Sequence, residues 1–131
     1  MRKSGDLQGA YRLAVKAYRS EPGNKYIAGE LTWVLYDCLK RYKASGSQYF
    51  RNGGAYAQSL RVIARYGFDP RENDMFYESL VKLVGSVSWD LVKRKRDEDL
   101  RKVFEATVDL SAIDARFRNG ILILWFLAFC L

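Results

Sequence analysis

Residues 27–42 read Ile-Ala-Gly-Glu-Leu-Thr-Trp-Val-Leu-Tyr-Asp-Cys-Leu-Lys-Arg-Tyr, and residues 76–91 read Phe-Tyr-Glu-Ser-Leu-Val-Lys-Leu-Val-Gly-Ser-Val-Ser-Trp-Asp-Leu. The first stretch carries Ile27, Leu31, Val34, Leu35, Cys38 and Tyr42; the second carries Phe76, Leu80, Leu83, Val84, Val87 and Leu91. Both sets stand at i, i+4, i+7, i+8, i+11 and i+15, an apolar face over four helical turns. The spacing predicts two long amphipathic helices, over about 25–44 and 72–95.

Outward from these, the same period recurs. Leu7, Ala10, Ala14 and Ala17 mark a helix over 6–20, with Asp6 as N-cap. Glu21-Pro22-Gly23-Asn24 ends it. Ala57, Leu60, Ile63 and Ala64 mark a helix over 55–66, with Gly67 just past its end and Pro70 beyond. Leu100, Val103, Phe104 and Thr107 mark another over 97–108, and 112–115 reads as a short helix. No segment sustains strand alternation. The expected class is all-α, with five to six helices.

The pattern also repeats. Ile27–Tyr42 maps onto Phe76–Leu91 at an offset of 49, Ala10, Leu13 and Ala17 map onto Ala57, Leu60 and Ala64 at 47, and Pro22 and Pro70 lie 48 apart. One helix–proline turn–helix unit therefore occurs twice, which predicts a helical-hairpin repeat or α-solenoid. The expected organisation is a single domain over 1–131: a first helix pair at 1–48, a second at 49–96, a further helix and connector at 97–119, and an apolar segment at 120–131.

Composition removes most catalytic chemistry. The 131 residues include no histidine and two cysteines, Cys38 and Cys130. Histidine-dependent nucleophilic catalysis is excluded, as are His-bearing and four-cysteine zinc sites. Paired acids such as Glu30 and Asp37, or Asp74 and Glu78, sit at spacings that also describe a solvated helix face. No catalytic residue, metal or cofactor is expected. Two thiols at this spacing read as buried cysteines of a reducing compartment, and the polar start Met1–Asp6 has no apolar signal core, so a cytoplasmic location is expected.

Gly5-Asp6-Leu7, Ala10, Ala17 and Pro22 stand at the spacing of the second helix of a tetratricopeptide repeat. Gly53 or Gly54, Ala57, Ala64 and Pro70 follow it more weakly. The chain thus resembles a degenerate tetratricopeptide-like array. Its unit is about 48 long against ~34 in regular repeats, and Ala28, Thr32 and Leu35 replace the usual Trp, small residue and Tyr. The resemblance implies a non-catalytic scaffold that binds a protein or peptide in a groove. The family's ligand-facing positions fall on Tyr26, Gly29, Trp33, Tyr36 and Asp37, and on Met75, Glu78, Lys82, Gly85 and Ser86 in the second unit. Lys40, one turn past Tyr36, is placed to meet a partner carboxylate. Packing of Trp33 and Tyr36 against the next helix stays open as the alternative.

The formal net charge of +7 admits a second class, nucleic-acid binding. Lys93-Arg94-Lys95-Arg96 is the densest basic run, with Arg61, Arg65, Arg101 and Lys102 as further candidates. Asp97-Glu98-Asp99 follows at once and partly neutralises the run, so a solvated helix end with Asp97 or Asp99 as cap competes with phosphate binding.

Last comes the unbroken apolar run Ile121–Leu131. Eleven helical residues span about 16 Å, whereas a bilayer crossing takes about 20 residues. A membrane span is therefore not expected. Three readings stand open: a segment closing the solenoid, a contact with a partner or a second copy, or a chain that continues.

Overall fold

The computed structural model describes residues 7–44, 53–94, 97–119 and 126, apart from the side chains of 7, 42–44, 53–56 and 97. The described residues are all-α. Five helices follow in order: α1 (Leu7–Ser20), α2 (Lys25–Ala44), α3 (Gly53–Tyr66), α4 (Asp74–Lys93) and α5 (Asp97–Ser111). Residues 116–119 are helical as well. The short helix expected at 112–115 is displaced to there. Asp114 accepts the Arg116 backbone N–H at 2.9 Å, so the preceding residues form a turn instead. The expected cap Asp6, the loop at 45–52, Lys95 and Arg96, and the apolar run at 120–131 apart from Phe126 lie outside the described residues.

Local chemistry fixes the first helix pair. Asn24 caps α2: its Oδ1 accepts the backbone N–H of Tyr26 at 3.0 Å and of Ile27 at 3.3 Å. The turn from Glu21 to Asn24 is closed by the Asn24 N–H on the Glu21 carbonyl at 3.0 Å. α1 and α2 pack directly on each other, as the hairpin reading expects.

The second pair departs from that reading. α3 and α4 barely approach each other; each instead touches α2 and α5, and α3 lies closest to α5. The described helices therefore do not build a tetratricopeptide-like repeat. The physical reason is the connection. Gly67 ends α3 at φ 59°, a left-handed conformation that a side chain disfavours. Phe68 then turns inward and is buried, its ring 5.7 Å from Tyr18, 5.4 Å from Tyr66 and 6.2 Å from Phe76. The buried Tyr77 hydroxyl donates to the Phe68 carbonyl at 2.9 Å, fixing the chain at that depth. A phenyl group wedged there holds α3 and α4 apart.

All six predicted α4 positions, Phe76 through Leu91, are buried. On α2, Leu31, Val34 and Leu35 are buried, Ile27 and Cys38 only half-buried, and Leu39 and Thr32 are buried although they lie off the predicted stripe. Their burial follows from position: α2 packs against α1, α3 and α4, so more than one face is covered. Thr32 Oγ1 donates to the Gly29 carbonyl at 2.6 Å, which satisfies its hydroxyl in the core.

A polar clasp holds the end of the described chain. The Arg116 guanidinium donates to both oxygens of Asp114, at 2.9 and 2.6 Å, and reaches Asp74 Oδ1 at 2.8 Å. Asp74 lies in the first turn of α4, so the clasp ties 114–116 to that helix start. Phe117 packs beside it, its ring 6.3 Å from Tyr77.

Candidate functional site

The structure divides the predicted binding residues into two groups. Trp33 and Tyr36 are half-buried, their rings 5.6 Å apart, and Trp33 lies 6.3 Å from Phe76 of α4. Both pack against the core on one side, in line with the packing alternative left open by the sequence. Tyr26, by contrast, is 81% exposed, and Lys40 is exposed near the other end of α2. Asp37 is half-buried. It lies beside the Cys38 thiol, whose pKa is raised first by burial and then by the Asp37 carboxylate.

On α4 the outer face is intact. Met75 is 71% exposed and Trp89 53% exposed. Between them lie Glu78 and Lys82, paired at 3.4 Å, and then Gly85. Successive sevens along an α-helix return to nearly the same direction, so Met75, Lys82 and Trp89 form a strip about 21 Å long. A Cβ placed on Gly85 meets nothing within 4 Å, and the same holds for Gly29 on α2. A mid-helix glycine costs about 1 kcal/mol relative to alanine. Internal packing supplies no reason for either one. The shifted ligand-facing positions Met75, Glu78, Lys82 and Gly85 therefore share one surface strip, joined by Trp89, which the sequence reading missed. Its signal was present: Trp89 stands seven residues after Lys82, off the apolar stripe.

The basic run is placed only in part. Lys93 and Arg94 are exposed at the end of α4; Lys95 and Arg96 lie outside the described residues. Asp99 is buried in the first turn of α5, where a carboxylate favours the positive end of the helix dipole. Arg61, also considered for phosphate, is paired with Glu105 of α5 at 3.6 Å.

Of the acids considered for catalysis, Asp74 and Glu78 have separate basic partners. Asp74 binds Arg116 and Glu78 binds Lys82, so the i,i+4 pair is not a shared-proton dyad. Among the described residues no group of three or more His, Cys, Asp or Glu side chains is placed to hold a metal ion. No described helix is long and apolar enough to cross a membrane. No family model, no curated protein and no solved structure matches the chain.

Proposed function

We propose that the protein is a non-catalytic binding module that docks a protein partner along the outer strip of α4, with Tyr26 of α2 as a further exposed anchor. The observation that carries this reading is the notch at Gly85, with exposed Trp89 beside it and Met75 at the other end of the strip. Two large apolar groups and an empty Cβ position let a partner approach the helix backbone closely. Tryptophan in such a strip is the residue type that most often dominates interface energetics. The Glu78–Lys82 pair between them offers one acceptor and one donor to orient the partner.

The test is affinity capture from the source lysate with wild-type protein and a Met75→Ser/Trp89→Ala variant. Both should show the same helical circular dichroism, because both side chains point to solvent. The proposal requires that proteins retained by the wild type are lost from the variant. Unchanged retention contradicts it.

A further inference from the structure

The net charge is not spread evenly over the chain. Residues 1–66 hold twelve Lys and Arg against four Asp and Glu, whereas residues 67–131 hold ten against eleven. Within the basic half, α1 contains Arg12, Lys16 and Arg19 and no carboxylate at all. At 100° per residue these three lie within about 60° of one another around the helix. All three are exposed, and none has a carboxylate partner among the described residues. The nearest carboxylate in the chain after them, Glu21, accepts from the Asn24 side-chain amide at 3.2 Å. Together with Tyr11, Val15 and Ser20 they line an open groove along α1. One wall is fixed from outside the helix: Tyr11 is hydrogen-bonded to the Tyr66 hydroxyl of α3, and Tyr18 packs edge-on against the Tyr66 ring at 5.3 Å.

We infer that this α1 groove binds the phosphodiester backbone of a nucleic acid. The exposure of the cations decides the ligand class. A solvated cation paired with a solvated carboxylate is worth about 0–1 kcal/mol, so an acidic peptide gains little here. A nucleic acid gains more from the same cations, because each neutralised phosphate releases condensed counterions. Two of the three are arginines, whose guanidinium matches phosphate oxygens in a fork. The contact is to the backbone and carries no base sequence. It is independent of the α4 strip, and either surface can fail without the other.

Fluorescence anisotropy with a labelled 20-base-pair DNA duplex and a labelled single-stranded 20-mer RNA tests it between 50 and 200 mM salt. Three phosphate contacts on the duplex give a log–log salt slope of about −2.7, an affinity loss of about 40-fold over that range. An Arg12→Gln/Lys16→Gln/Arg19→Gln variant should bind with a slope shallower by about 2.7. A Lys93→Gln/Lys102→Gln/Arg118→Gln variant removes the same formal charge from the other half, at exposed positions outside the α4 strip, and should keep the wild-type slope. Helical circular dichroism confirms that both variants fold. Equal loss in the two variants overturns the inference, since it makes the effect one of net charge. Absence of binding at 50 mM salt overturns it as well. So does binding to phosphatidylserine vesicles or a glutamate-rich peptide, abolished by the α1 variant, when both oligonucleotides stay unbound.

Discussion

The turn at Glu21–Asn24 and the connection at Gly67–Asn73 follow helices of the same small-residue pattern, each contains a proline, and each precedes a helix with the same apolar spacing. One makes a hairpin and the other does not. The first is short, and its asparagine caps the next helix. The second inserts a buried phenylalanine, and its asparagine makes no side-chain cap bond; the Asn73 amide donates back to the Asp69 carbonyl at 2.9 Å. Helix periodicity thus determines which face is buried, while the connection determines against what.

The strongest way to break this contrast is Phe68→Ala. A buried phenyl group contacting three other rings should cost about 3–5 kcal/mol, read by urea denaturation. Next is Arg116→Met, which leaves the buried Asp114 carboxylate without its main donor. A loss of about 1.5–3 kcal/mol near neutral pH is expected. Asp114's pKa is lowered, chiefly by the Arg116 hydrogen bonds. Its stabilisation is therefore full above the unfolded value of about 3.9 and is lost as pH falls through the folded value. The gap between wild type and variant should narrow on acidification below about pH 4.

Two smaller effects sharpen the comparison. Asn24→Ala should cost about 1 kcal/mol through loss of the α2 cap. Asn73→Ala, which removes no cap bond, should cost less in the same assay. Gly85→Ala and Gly29→Ala should each raise stability by up to about 1 kcal/mol, because the added methyl meets open space. Gly67→Ala should lower it, because its φ is positive. If partner capture falls in Gly85→Ala while stability rises, the notch belongs to the docking surface.

Much of this was legible in the sequence. Every position of the α4 stripe is buried, but the stripe missed Tyr77 and Ser88, because α4 is covered by both α2 and α5. The α2 stripe missed Leu39 and Thr32, because a helix covered by three neighbours has no single polar face. Whether Trp33 and Tyr36 are free or packed stayed open in the sequence, since nothing local reveals that Phe76 of α4 lies beside Trp33. The extra length of the second connection was visible as Gly67-Phe68 ahead of Asp69-Pro70, but its effect depends on a core pocket that only tertiary packing creates. The α1 cations were equally visible, as a helix with no acid in it. Their distinctness emerges only once Arg61 is seen paired.

Nuclear Overhauser contacts from the Phe68 ring distinguish the observed packing of α3 and α4 from a second hairpin. Cross-peaks to the rings of Tyr18, Tyr66 and Phe76 are expected, together with contacts between α3 and α5. A continuous ladder of contacts between α3 and α4, with Phe68 remote from Tyr18, would contradict that packing and restore the second hairpin.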